Sequence, residues 1–181
     1  LSDVDVNRLA NRLVDGIASV RPGSAGLGSN AGKFSVARGP DGSALRSIAY
    51  DDSLSPADQA RVLTHETGHA IDDSLFGVAG PRGGKLNVAG LNDELTRVYS
   101  DLNTGAYGSK PSRGANPKTL GYAERDWDGE RIAEGVRAYL KDPNYIKTVA
   151  PKFAARLRAA VNDNPNLNRH IQFNTGLLGL G

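Results

Sequence analysis

The 181-residue chain contains no cysteine and no methionine. Without cysteine there is no disulfide, no thiolate nucleophile and no thiolate zinc cluster, so any bound metal has to be held by histidine, aspartate or glutamate. Lacking an initiating methionine and beginning at Leu1, the sequence reads as a piece excised from a longer polypeptide. No apolar run approaches the roughly 18 residues that a membrane-spanning helix needs, and the N-terminus lacks the basic-then-apolar pattern of a signal peptide. No membrane span is therefore expected. An excess of one charge sign is missing too, because 22 Lys/Arg are interspersed with 20 Asp/Glu. That leaves no basic stripe for a phosphate backbone, and no nucleic-acid partner is expected. Aromatic residues make up only 6% and stand singly, which offers neither a cage nor a stacking platform. The glycines of 23–32 lack the Lys-Ser/Thr of a phosphate-binding loop, and there is no Gly-x-Ser-x-Gly elbow for a serine nucleophile. What remains is the composition of a folded globular domain of ordinary size.

Hydrophobic spacing supplies the elements. Val6, Leu9, Leu13 and Ile17 follow Ser2 at helical intervals, and Pro22-Gly23 stops the run, predicting a helix over 3–20 capped by Ser2. Lys33–Arg38 and Ala44–Asp51, separated by Gly39-Pro40-Asp41-Gly42, read as a two-stranded hairpin. Ser55-Pro56-Ala57-Asp58 is a helix start with cap, proline and first-turn carboxylate, opening a helix to about Leu75. Further helices are expected over Asn92–Asn103 with Asn92 as cap, from Asp126 or Asp128 to about Leu140, and over 145–162 after the break at Pro143. Glycine-rich stretches at 78–90 and 104–121 read as loops. The expected class is α+β, a mostly helical domain with a small sheet. It divides into an N-terminal helix and loop (1–43), a core (44–162) and a tail (163–181).

The best-signalled helix carries His65-Glu66-Thr67-Gly68-His69. At about 100° per residue, His65 and His69 point within about 40° of each other, as two imidazoles on one ion must, and Glu66 lies about 60° further round, where it reaches a water rather than the ion. Leu63, Ala70, Ile71 and Leu75 fall on the opposite side and face a core. Zinc accepts imidazole nitrogen and carboxylate oxygen and lowers the pKa of a water, whose proton a neighbouring carboxylate can take as it attacks a peptide carbonyl. Zn2+ is the expected cofactor, with Glu66 as general base.

Two histidines leave zinc one protein ligand short, and the position six residues after His69 is Leu75. His170 is one source of a third ligand. Glu130 and Glu134, one turn apart on the expected fourth helix, are two more. Ala133 between them is small enough for a close helix approach, and Ile132, Val136 and Leu140 supply the packing stripe. Asp72 projects beside both histidines and is placed to accept a ring N–H, better aimed than Asp73. Arg137 can pair with Glu134 or bind a carbonyl in the transition state.

The segments Leu63–Asp73 and Gly129–Arg137 resemble the metal-binding core of the anthrax lethal factor-like zinc metallopeptidases, a gluzincin group that includes the clostridial Pro-Pro endopeptidases. Their pattern is an HExGHxxD helix followed by a helix with a Glu ligand, Ala and a second Glu. The resemblance implies a zincin-like metalloprotease fold, His65, His69 and Glu130 as zinc ligands, Glu66 as general base and Glu134 in support. It further implies a transition-state role for a Tyr ahead of the third ligand, and Tyr122 stands one residue from that place. In zincin-like folds the strand before the active helix, here Ala44–Asp51, is the sheet edge to which an extended peptide adds. The resemblance is sharp over these two segments and extends loosely over 45–160.

The expected activity is zinc endopeptidase hydrolysis of a protein or peptide substrate. The missing Met, the missing signal and the resemblance together predict a toxin or effector module of a larger bacterial or phage polypeptide, secreted or delivered with it, with an inhibitor or immunity protein as its partner. The alternatives are a self-processing or housekeeping peptidase and a catalytically silent metal-bound binding module, against which an intact Glu66 argues.

Overall fold

The computed structural model describes residues 1–76, 90–103 and 115–168. The chain is α+β. In order, its elements are α1 (Asp3–Val14), β1 (Ser19–Pro22), β2 (Gly32–Arg38), β3 (Ala44–Tyr50), α2 (Pro56–Phe76), α3 (Asn92–Asn103), a 3-10 turn (Glu124–Asp126), α4 (Trp127–Lys141), α5 (Pro143–Val149), α6 (Pro151–Asp163) and α7 (Pro165–Asn168). Among the described residues no helix is long and apolar enough to cross a membrane.

The first helix is capped by Ser2, whose hydroxyl accepts from the Asp5 N–H, but it stops at Val14 rather than near residue 20. Ile17 and Ala18 both turn their N–H groups back to the Val14 carbonyl, closing the helix over Asp15-Gly16. Ser19–Pro22 then leaves as a strand that pairs in parallel with β3, Val20 opposite Ile48. Four residues ending in proline carry too little alternation to be read as a strand.

The expected hairpin is present. β2 and β3 are antiparallel, with Phe34 opposite Ile48, and they turn through Gly39–Ser43, where Gly42 takes a φ of +80° that favours glycine. The sheet order is β1-β3-β2. This corrects the expectation for Ala44–Asp51: paired on both sides, β3 is the central strand and offers no free edge. Among the described residues the strand edges lie on β1 and β2.

Helix α2 starts where Ser55-Pro56 predicts, the Ser55 hydroxyl accepting from the Asp58 N–H. Leu63 and Ala70 pack with Ile48, Ala10 and Val14 under the sheet, and Ile71 joins the larger core of α1, α3, α4, α5 and α6. The buried hydroxyls of Thr64 and Thr67 donate to the carbonyls of Ala60 and Leu63 one turn back, so the helix satisfies them itself. Arg46 of β3 meets Asp73 near the end of α2 at 2.6 Å, tying sheet to helix.

The crossing of α2 and α4 positions the site. A Cβ on Gly68 would fall 2.6 Å from Ala133 Cα and 2.8 Å from its carbonyl oxygen, so the two backbones touch where Ala133 was expected to permit it. Ile132, Val136 and Leu140 are buried beside the crossing. Asp126 occupies the N-cap position of α4, but its side chain makes no capping bond. Asn92 is the first helical residue of α3 rather than its cap. The single helix expected over 145–162 is two, because Pro151 begins a new one. The Glu94 carboxylate accepts from the N–H groups of Lys152 and Phe153 at that start, anchoring α6 to α3.

Candidate metal centre

His65 and His69 leave α2 on one side, and Glu130 reaches them from the first turn of α4, one turn before the Gly68–Ala133 contact. Ligand atoms from these three residues all lie within 4.8 Å of one another. His65 Nε2 is 3.1 Å from His69 Nε2 and 3.1 Å from Glu130 Oε2, and His69 Nε2 is 3.2 Å from Glu130 Oε1. Close as these atoms are, Glu130 Oε2 is buried with no N–H directed at it along a hydrogen bond. Two imidazoles and a carboxylate that converge this closely could hold a cation.

Glu134, one turn on, faces the other nitrogen. Its Oε1 lies 2.6 Å from His65 Nδ1. Burial would raise the Glu134 carboxyl, but His65 and Arg137 hold it down to about 2. It is therefore an acceptor and His65 Nδ1 carries a proton toward it, which leaves Nε2 as the nitrogen that faces Glu130 and His69. Burial by itself would lower His65, yet the bonds and charges of Glu130 and Glu134 raise it to about 10. Glu130 goes the other way for the same reason: burial would raise it, and the histidines pull it down to about 2. These shifts express one interaction. Arg137 already pairs with Glu134, so the positive charge that Glu130 faces is either the proton that His65 holds in the metal-free chain or a metal ion in its place. Two imidazoles and one carboxylate, with no sulfur, are a ligand set of the kind that zinc accepts.

Glu66 is buried, and burial raises its carboxyl above the usual range despite the nearby histidines and a backbone N–H from Phe34. The Phe34 ring also lies nearly parallel to that of His69, with 6.3 Å between centroids. A cleft of about 650 Å³ opens beside His65 and Glu66, walled by Gly32 of β2, Tyr99 and Asn103 of α3, and Tyr122. Gly32 lets the strand come that close, since a Cβ there would run into Val62 and lie 3.2 Å from Glu66. A second hollow of about 780 Å³, between the end of α1 and β1, holds no histidine, and its Arg46 is engaged by Asp73. No protein-family model, curated protein or solved structure matches the chain.

The fold thus brings together His65, Glu66, His69, Glu130, Glu134 and Arg137. Arg137 grips Glu134, with Nη2 at 2.8 Å from Oε2 and Nε at 3.1 Å from Oε1. Asp72 is buried on α2, and the partner of His65 Nδ1 is Glu134 instead. Tyr122 is exposed on the cleft wall, its carbonyl accepting from the Trp127 indole N–H. His170 lies outside the described residues, as do the expected loop positions 77–89 and 104–114. Sequence reasoning missed Asn103, which donates to Glu134, and Gly32 and Phe34. These come from α3 and β2, and no local pattern links them to the histidine motif.

Proposed function

We propose that the chain is a zinc-dependent endopeptidase in which His65, His69 and Glu130 hold the ion. The observation that carries the reading is the convergence of these three side chains from two helices beside a buried Glu66 that is not part of the cluster. The likeness of the two segments to the lethal factor-like metallopeptidases supports the same reading. When bound, zinc polarises the scissile carbonyl and acidifies water. The protein's own groups do the rest. The Glu66 carboxylate takes the proton of the attacking water and returns it to the leaving amine. Its raised pKa brings it closer to the range where both transfers are efficient, and the Phe34 N–H orients it. Glu134 fixes the His65 ring. Tyr122, on the cleft wall, supplies a hydroxyl to the developing oxyanion. An extended substrate reaches Glu66 along β2, the edge strand whose Gly32 borders the cleft.

Incubation with unfolded casein and a peptide library, before and after chelation, tests this. Cleavage that disappears with the chelator and returns with stoichiometric zinc is expected. Cleavage that persists in metal-free protein contradicts it.

A further inference from the structure

Glu134 does more than touch His65. Its Oε2 accepts from Arg137 Nη2 at 2.8 Å and from Asn103 Nδ2 at 3.1 Å, while Oε1 holds His65 Nδ1 at 2.6 Å. The Asn103 amide donates also to the Tyr99 carbonyl at 2.9 Å. Both acceptors lack protons to give, so the orientation of the amide follows from chemistry: the NH2 end faces Glu134 and Tyr99. Asn103 is the last residue of α3, whereas Arg137 lies one turn beyond Glu134 on α4. The carboxylate is thereby gripped from two helices and has no freedom to rotate away from the imidazole.

We infer that Asn103 and Arg137 form a two-armed clamp on Glu134 that fixes the His65 ring through its Nδ1–H, with Nε2 aimed at His69 and Glu130. The inference rests on the metal-centre reading and assigns Asn103 and Arg137 as positioning residues for zinc affinity. Partners that orient a ligating histidine from behind are worth roughly 10- to 100-fold in metal affinity. Removing one arm leaves Glu134 tethered by the other, so an effect of about 10-fold is expected for each single change.

Asn103→Leu keeps nearly the size of the side chain and removes its N–H donor without adding a charge beside Glu134, so a role in packing alone survives it and a clamp does not. Arg137→Gln removes the second arm independently and keeps the test intact if the first variant fails to fold. Two readouts are taken on the full chain. Zinc affinity is measured by competition with a chromophoric chelator, and the His65 Nδ1–H signal is followed by 15N–1H correlation in histidine-labelled, metal-free protein. Expected are zinc binding weakened by about 10-fold or more and a broadened or displaced Nδ1–H signal in both variants. Wild-type zinc affinity together with a wild-type signal overturns the clamp. Should wild-type protein itself bind no zinc, the metal reading fails, and the histidine signal of the metal-free chain still decides whether Asn103 and Arg137 hold the ring.

Discussion

Glu66→Gln is expected to lower peptide-bond hydrolysis on the order of 10²- to 10⁴-fold, the usual worth of a positioned general base, while leaving zinc content unchanged. The two halves of this result have different causes. Glutamine matches glutamate in shape and still offers an oxygen to the Phe34 N–H that orients the carboxylate, but it has no basic oxygen to take a proton at neutral pH. Zinc stays because Glu66 is not among the three groups whose ligand atoms converge. Stability is expected to hold or rise slightly. Burial makes the charged Glu66 unfavourable, as its raised pKa states, and a neutral side chain relieves that cost. Turnover with matched peptide, zinc content and a urea midpoint on one preparation check all three. Equal turnover in the two proteins removes Glu66 from the reaction.

The second large effect is structural. Gly68→Ala is expected to destabilise the protein by about 2–3 kcal/mol and to weaken zinc binding, although alanine is the better helix former. The new methyl would lie 2.6 Å from Ala133 Cα and 2.8 Å from its carbonyl oxygen, both main-chain atoms in the middle of α4. Ordinary carbon contacts need the helices to part by about 1 Å. Helix propensity returns at most about 1 kcal/mol, so the collision wins. Parting the helices also withdraws Glu130 from His65 and His69, since Glu130 sits one turn from the contact. Gly129→Ala is the matched control. It lies on α4, the other helix of the crossing, a Cβ there meets nothing within 4 Å, and a gain of about 0.5–1 kcal/mol is expected. Denaturant midpoints and zinc affinities of the pair provide the check. A Gly68→Ala protein as stable as its Gly129→Ala counterpart contradicts the crossing geometry.

Legibility of the fold and site from sequence follows the range of the interactions. Helix α2 and its histidine pair are local: Ser55-Pro56 starts the helix, and a four-residue spacing puts His65 and His69 side by side. Ala133 and the Ile132–Val136–Leu140 stripe also follow from periodicity. Spacing alone leaves Glu130 and Glu134 equivalent, and only the angle at which α4 crosses α2 sends one to Nε2 of both rings and the other to Nδ1 of His65. Strand β1 is four residues stabilised by pairing with β3, a contact 28 residues away in sequence at Val20 and Ile48. The central place of β3 has the same origin, because an edge strand becomes an inner one when a distant segment adds to it. Asn103 and Gly32 contribute through a single hydrogen bond and an absent side chain, neither of which leaves a periodic trace.

The ligand set is tested most directly by metal analysis. Tag-free wild-type, Glu130→Ala and Glu134→Ala proteins are equilibrated with zinc, freed of excess and measured by plasma mass spectrometry. About one zinc per chain is expected in the wild type, none in Glu130→Ala, and retained but roughly 10- to 100-fold weaker binding in Glu134→Ala. Zinc held undiminished by Glu130→Ala, or absent from the wild type, contradicts a centre built from His65, His69 and Glu130.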